Sequence, residues 1–255
     1  NGTNYLVVLG TTAEVATLSK EEKDQVIKHV IKINSKRLPL VLGIGGNNTL
    51  EVKKQIQETD LSDFDAVLSV SPYYNKPNQE GLYQHYKALA ETGKQIIIYN
   101  VPGRTGQNIE VSTTLRLAND FPNLFMIKEA CPNINQYFDI LRKKPAGFSL
   151  VSGDDENTLP VTLAGGDGVI SVIGQGYPKE FSTMVQLAFE GKVKEAYEIH
   201  NKLVDITRLI FVEGNPCGIK TILAEKGIIK NYLRLPLVVA SEGLQAKIKA
   251  EMAKI

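Results

Sequence analysis

Lys128 is the strongest candidate for a chemical role in this sequence. It ends the apolar run 124–127, which is typical of a buried strand. Burial favours the neutral amine of a lysine, and a neutral amine is the nucleophile that forms a Schiff base with a carbonyl compound. The alternative is a structural lysine whose charged end extends into solvent. The next residue, Glu129, should point to the opposite face because side chains alternate along a strand.

Two further candidates come from the preceding predicted strand and the turn after it. Tyr99 ends that strand, and neighbouring strands lie about 4.8 Å apart, so its phenol could transfer protons to and from an adduct on Lys128. Packing is the alternative role for a strand tyrosine. Arg104 follows in a Pro-Gly turn. Its planar guanidinium suits a substrate carboxylate, with a surface salt bridge as the alternative.

Other polar residues are weaker candidates. Asp154 and Asp155 stand between a predicted strand and a predicted helix, which favours helix N-caps over a catalytic carboxylate pair. The histidines lie within predicted helices and lack the spacing of metal ligands. We therefore predict no metal site, which argues against a zinc-dependent aldolase. The three residues are His29, His85 and His200.

The elements that must position these residues alternate along the chain. Seven short apolar runs predict strands, and amphipathic stretches between them predict helices. The predicted strands are 5–9, 40–44, 66–70, 95–99, 124–128, 148–152 and 168–172. The predicted helices are 19–35, 48–59, 78–92, 110–119, 133–144, 154–164, 178–190, 191–211, 216–227 and 238–254. The first helix begins with a capping box, Ser19 to Glu22.

This alternation predicts an α/β fold built of right-handed βαβ units. We expect a (β/α)₈ barrel over residues 1–190 and a helical extension of three helices over 191–255. A closed barrel needs eight strands, so we expect the first strand and helix to be missing from the supplied chain. The alternative is an open doubly wound sheet, but the first turn lacks the G-x-G-x-x-G pattern of dinucleotide-binding folds.

Composition excludes several classes of protein. The 255 residues carry 29 Lys and Arg against 28 Asp and Glu, a net charge of +1, which argues against binding nucleic acid or a membrane surface through bulk charge. No apolar stretch is long enough to span a membrane. Only two cysteines occur, without disulfide spacing, so we expect a cytoplasmic protein.

Six motifs in order along the chain resemble the dihydrodipicolinate synthase / N-acetylneuraminate lyase family of class I pyruvate aldolases. The resemblance covers essentially all 255 residues, and the six motifs together are far more specific than any one of them. The motifs are Gly10-Thr11-Thr12-Ala13-Glu14, Ser71-Pro72-Tyr73-Tyr74-Asn75-Lys76-Pro77, Tyr99-Asn100-Val101-Pro102-Gly103-Arg104-Thr105, Ile127-Lys128-Glu129-Ala130, Ser152-Gly153-Asp154-Asp155 and Gly168-Val169-Ile170-Ser171-Val172.

The resemblance implies a catalytic role for each of four residues. Lys128 would form the Schiff base with pyruvate, and Tyr99 would transfer protons beside it. Thr11 would link Tyr99 to Tyr74 in a proton relay. Tyr74 would come from the neighbouring subunit, so that at least a dimer is needed to complete the sites. The resemblance also implies a homotetramer formed as a dimer of dimers, which is common in the family.

The resemblance also implies how the substrates bind. Thr12 would hold the pyruvate carboxylate, and Arg104 would bind the carboxylate end of L-aspartate 4-semialdehyde. The backbones of Gly153 and Ile170 would contact the reacting ligand. The implied reaction is the synthesis of 4-hydroxy-tetrahydrodipicolinate, at the entry to diaminopimelate and lysine biosynthesis, without a metal or organic cofactor.

Two alternatives accompany this expectation, together with a departure from the family pattern besides the missing first strand and helix, and a separate expectation about regulation. The alternatives are another pyruvate aldolase, such as N-acetylneuraminate lyase, and a non-catalytic ligand-binding relative. Ala13 replaces the usual glycine, so we expect a modest shift of that turn. Lys20 and Lys23 stand near positions where lysine-inhibited relatives tend to carry histidine, so we predict weak or absent inhibition by lysine, because the like charges repel.

Overall fold

Six of the apolar runs form strands, and all of them pair in parallel. The computed structural model describes residues 1–255. The strands follow one another across the sheet in sequence order, which lacks the reversal of order in doubly wound folds, so that alternative is wrong. They are β1 (Leu6–Val8), β2 (Leu40–Gly43), β3 (Ala66–Val70), β4 (Ile96–Asn100), β5 (Met126–Glu129) and β6 (Ser149–Ser152).

The sheet curls, and its two ends approach each other across a concave interior. The hydroxyl of Tyr5, just before β1, donates a hydrogen bond of 3.5 Å to the carbonyl oxygen of Val169, beyond β6. Apolar side chains from β2, β3 and β4 fill the interior together with Tyr5 and Ile170. The architecture is therefore an α/β fold with a curled parallel sheet, a half-barrel.

The predicted seventh strand, 168–172, is wrong. Val169 pairs with Ser152 through a single bridge, and no strand forms there. One oxygen of the Asp155 carboxylate accepts the backbone N–H groups of Val172 and Ile173, each at 2.9 Å. Because these donors are bound to a side chain, the chain turns into a short 3₁₀ segment instead of continuing along β6.

The chain has eleven helices, and the predicted helices are confirmed in position, most of them within two residues at each end. The capping box of the first helix is formed by Ser19 and Glu22. The four-residue α4 was not predicted. The helices are α1 (Lys20–Asn34), α2 (Thr49–Glu58), α3 (Gln79–Ala90), α4 (Pro102–Thr105), α5 (Val111–Asp120), α6 (Ile134–Lys143), α7 (Thr158–Leu163), α8 (Pro178–Phe189), α9 (Val193–Leu209), α10 (Cys217–Glu225) and α11 (Glu242–Met252).

Two large apolar cores hold the helices in place. The first lies between the convex face of the sheet and the helices from α1 to α6. The second joins helices α8 to α11 and includes Leu159 and Ile173 from the last part of the half-barrel. The division at residue 190 stays a prediction. None of the helices combines the length and the apolar character that crossing a membrane requires.

Candidate active site at the carboxyl ends of the strands

Lys128 and Tyr99 lie side by side at the carboxyl ends of β5 and β4. They are direct partners in the parallel register of these strands. The Nζ atom of Lys128 is 4.2 Å from the centroid of the Tyr99 ring. Lys128 is only 8% exposed and Tyr99 7%. A largely buried lysine amine is thus held against the ring of a tyrosine, an arrangement that suits Schiff-base chemistry with proton transfer.

Gly153, directly after β6, leaves the space that the Lys128 side chain occupies. Its N–H donates to the carbonyl oxygen of Glu129 at 2.6 Å. A Cβ atom added at Gly153 would lie 2.9 Å from Cε of Lys128 and 2.8 Å from Cβ of Ala130. Because the backbone of Gly153 does not have a positive φ, the lack of a side chain serves close packing here, and no unusual conformation requires it.

The turn after β1 carries two hydroxyls and is fixed by ionic contacts. Residues 11–13 form a 3₁₀ turn, and Glu14 follows with φ of 53°. The Glu14 carboxylate pairs with Lys220 and accepts the backbone N–H of Arg234 at 3.0 Å. Burial alone would raise the pKa of Glu14, but these contacts hold it below its usual value. Ala13 itself has no positive φ, so the turn accepts its Cβ.

Arg104 and Thr12 are connected through one residue of the chain between α9 and α10. The Nη2 atom of the exposed Arg104 donates to the backbone carbonyl oxygen of Asn215 at 3.1 Å. The side-chain amide of the same asparagine donates to Oγ1 of Thr12 at 2.8 Å. Two side chains that suit substrate carboxylates, Arg104 and Thr12, are therefore both hydrogen-bonded to Asn215.

One cavity of about 1670 Å³ collects these residues. Ile170 lies on its wall, where its N–H donates to the carbonyl oxygen of Ser152 at 2.9 Å. The cavity is large enough for a pair of small organic acids. Seven of the sequence-predicted site residues line it: Thr11, Thr12, Tyr99, Arg104, Lys128, Gly153 and Ile170.

Glu129 lies on the opposite face of β5, and its predicted orientation toward the helices is confirmed. It is fully buried, and its carboxylate accepts hydrogen bonds from the side-chain amides of Asn100 and Gln136 and from the N–H of Cys131, at 2.8–3.1 Å. Burial raises the pKa of Glu129 to about 7, although these N–H donors favour the charged form. This network ties the ends of β4 and β5 together from outside the cavity.

Residues 1–255 match the family described as the Dihydrodipicolinate synthetase family. This chain belongs to that family. A 4-hydroxy-tetrahydrodipicolinate synthase of Flavobacterium psychrophilum is 56% identical over 248 residues, which cover 97% of this chain and 85% of the relative. The crystal structure of dihydrodipicolinate synthase from Thermotoga maritima is 40% identical with a TM-score of 0.97, covering 100% of this chain and 88% of that one. A dihydrodipicolinate synthase variant described as monomeric also has a TM-score of 0.97, at 39% identity, covering 100% of this chain and 86% of the variant.

Tyr74 is the one predicted site residue that does not line the cavity of its own chain. Its side chain is 86% exposed, and its φ is 73°, in the left-handed region. Tyr73 beside it is 42% exposed. A non-glycine residue in this region is uncommon.

Three residues at or near the site were missed or misassigned from the sequence. Helix α7 begins after Asn157, so neither Asp154 nor Asp155 is its N-cap, and that prediction is wrong. Asp154 instead accepts the N–H groups of residues 156 and 157, and Asp155 holds the segment after Ile170. Asn215 gave no local signal, because both of its partners are more than a hundred residues away.

No group of three His, Cys, Asp or Glu side chains is placed to hold a metal ion. Each histidine lies within a helix, in α1, α3 or α9. That the reaction needs no metal ion nevertheless stays a prediction, because it concerns the chemistry at Lys128 and not the placement of ligands.

Proposed function

We propose that this chain is a lyase that condenses pyruvate with L-aspartate 4-semialdehyde to give 4-hydroxy-tetrahydrodipicolinate, a step of diaminopimelate and lysine biosynthesis. The observation that carries the proposal is the Nζ atom of Lys128 at 4.2 Å from the Tyr99 ring. The same cavity presents Thr12 and Arg104, which suit two carboxylates. Family membership and the similarity to 4-hydroxy-tetrahydrodipicolinate synthases support the same reaction.

The first half of the reaction forms the nucleophile. The Nζ atom of Lys128 attacks the ketone carbon of pyruvate, and water leaves to give an iminium ion. The positive nitrogen withdraws electrons, so the methyl carbon loses a proton and an enamine forms. Tyr99 is the adjacent group that moves these protons. Thr12 holds the pyruvate carboxylate, and the backbones of Gly153 and Ile170 contact the adduct.

The second half makes the new bonds. The enamine carbon attacks the aldehyde carbon of the semialdehyde, and the aldehyde oxygen takes a proton to become a hydroxyl group. The amino group of the semialdehyde then attacks the iminium carbon, which closes the ring and releases Lys128. Arg104 holds the carboxylate of the second substrate during these steps. Lysine provides the covalent catalysis, so we propose neither a metal nor an organic cofactor.

We further propose that Thr11 relays protons between Tyr99 and the Tyr74 of a neighbouring subunit, so that the active form is at least a dimer. The high exposure of Tyr74 and its absence from its own cavity support this exchange. A dimer of dimers is the fuller assembly that we propose. The curled sheet also supports the (β/α)₈ barrel class for the fold. A cytoplasmic location stays a prediction from the cysteine content.

Trapping of the pyruvate adduct tests the proposed function. Sodium borohydride reduces an iminium to a stable amine, so the protein treated with pyruvate and borohydride should gain one 1-carboxyethyl group on Lys128, located by peptide mass mapping. The variant K128M should gain none, and the exposed Lys76 serves as an internal control. A wild-type protein without an adduct, or with the adduct on another lysine, would contradict the proposal.

Turnover separates this reaction from that of its nearest alternative. The enzyme should consume L-aspartate 4-semialdehyde in the presence of pyruvate and should not cleave sialic acid. Cleavage of sialic acid without turnover of the semialdehyde would assign the site to a different pyruvate aldolase.

A further inference from the structure

Asn215 is placed to control the direction of a hydrogen bond at the pyruvate site, an inference that rests on the proposed function. It belongs to the segment between α9 and α10, yet it lines the same cavity as Lys128. Its side chain is largely buried, with 7% of the residue exposed. The Nδ2 atom lies 2.8 Å from Oγ1 of Thr12.

The chemistry of the amide fixes the role of each atom in this contact. An amide nitrogen has protons to donate and no acceptor, so the Thr12 oxygen must accept. The hydroxyl proton of Thr12 is then free, and it is available to a carboxylate in the cavity. If the group at this position instead accepted a hydrogen bond from Thr12, it would use the hydroxyl proton. The substrate carboxylate would then face only the lone pairs of the Thr12 oxygen.

The other end of the amide argues against a purely structural role. The Oδ1 atom of Asn215 is buried and has no hydrogen-bond partner. A buried, unpaired acceptor costs stability because it has lost its water and gained nothing in return. An apolar residue of similar size would avoid this cost, so the asparagine is explained by what its donor does for Thr12.

We propose that Asn215 is a positioning residue for pyruvate, which acts by presenting the hydroxyl proton of Thr12 to the pyruvate carboxylate. The backbone of the same residue has a second task. Its carbonyl oxygen accepts from Nη2 of Arg104 at 3.1 Å, and this contact does not depend on the side chain. Substitutions at position 215 therefore separate the two substrates: the side chain affects pyruvate, and the backbone contact with Arg104 is kept.

Steady-state kinetics of N215L test the proposal, because leucine has a similar volume and no donor. Loss of the orientation of a charge-assisted hydrogen bond should raise the KM for pyruvate about tenfold. The kcat should stay within about threefold, since Lys128 and Tyr99 are untouched. The KM for the semialdehyde should change less than about twofold, because the contact with Arg104 is a backbone one. The Tm should be unchanged or higher. N215A repeats the measurement with a smaller side chain, in case leucine disturbs the fold.

Two further variants test the direction of the bond. N215D has the same shape but only acceptors, so it should raise the KM for pyruvate more than N215L does. In a T12V background the hydroxyl is absent, and N215L should then add less than about twofold to the KM for pyruvate. Equal effects of N215L with and without the Thr12 hydroxyl would overturn the proposal, because Asn215 would then act by another route.

The remaining outcomes are also decisive. An unchanged KM for pyruvate in N215L would overturn the positioning role. So would a general decline, in which kcat and Tm fall and the KM values for both substrates rise together. The failure of the proposed function would look different, since the wild-type protein would then form no borohydride-trapped adduct on Lys128. An adduct in the wild type together with an unaffected N215L would refute only the role of Asn215.

Discussion

Replacement of Gly153 by alanine is a direct test of how tightly the reactive lysine is packed. The added Cβ atom would lie 2.9 Å from Cε of Lys128, 2.8 Å from Cβ of Ala130 and 3.1 Å from the carbonyl oxygen of Glu129. Cβ of Ala130 and the carbonyl oxygen of Glu129 are attached directly to the backbone, so neither atom can move away alone. The flexible end of the lysine side chain can yield, whereas the contact with Cβ of Ala130 can be relieved only by a shift of the backbone.

The size of the effect follows from these distances. Carbon atoms pack best at about 3.5–4.0 Å, so Cε of Lys128 must move by at least about 0.6 Å. A misplacement of about 1 Å near a reaction centre costs about a hundredfold in rate, so we expect kcat to fall about tenfold to a hundredfold. Overpacking costs about 1–3 kcal/mol of stability. Restricting the unfolded chain by the glycine-to-alanine change returns about 0.4–1 kcal/mol, so the protein should stay folded.

Steady-state rates and the rate of borohydride trapping with pyruvate measure this effect, with circular dichroism to check folding. Gly243 in α11 provides a matched control, since a Cβ atom there meets nothing within 4 Å and its φ is not positive. G243A should keep the wild-type kcat and gain slightly in stability, because alanine is the better helix former. A folded G153A variant with wild-type kcat and trapping rate would refute the argument that Lys128 needs this space.

Three more predictions concern assembly, regulation and pH. If Tyr74 acts in the neighbouring subunit, the inactive variants Y74F and K128A, mixed by unfolding and refolding together, should recover roughly a quarter of the wild-type activity. The reason is that about half of the dimers then contain one chain of each kind, and each such dimer has one complete site out of two. No recovery of activity would mean that Tyr74 does not act across subunits. Lys20 and Lys23 line a second cavity, and we expect lysine to inhibit weakly or not at all; a submillimolar inhibition constant from steady-state rates would contradict this. Glu129 has a pKa raised to about 7 from 4.5, so its contribution to stability is fully present below about pH 4.5 and is lost as the pH rises through 7. Relative to E129Q, the wild-type free energy of unfolding should fall by up to about 3 kcal/mol between pH 5 and pH 8 in urea titrations, and parallel pH profiles would argue against the shift.

The arrangement of the strands and the pair at the centre of the site followed from local patterns. Apolar runs separated by amphipathic stretches predicted the parallel sheet, because each run had to be buried on both faces. The proximity of Tyr99 and Lys128 followed from their equivalent positions at the ends of consecutive strands. The opposite orientation of Glu129 followed from the alternation of side chains along β5.

The errors have a common physical cause, which is that side chains from distant segments bind backbone or site groups. The run 168–172 has the composition of a strand, but Asp155 binds the N–H groups of Val172 and Ile173 at its end. Asn215 lies in a loop without any motif, and its proposed role depends on Thr12, near the other end of the chain. The sequence pattern carries periodicity and local capping, and it does not carry such contacts.

The hydrogen bond between Asn215 and Thr12 joins residues that are 203 positions apart. A ribosome that adds about 5–20 residues per second needs on the order of 10–40 s between the synthesis of these two residues. After Lys128 has been made, the threonine turn and the reactive lysine both exist for the rest of that interval, but the hydroxyl of Thr12 lacks the hydrogen bond from Asn215. Full affinity for pyruvate should therefore appear late, when the segment before α10 is in place, and pyruvate binding can report this late step of folding.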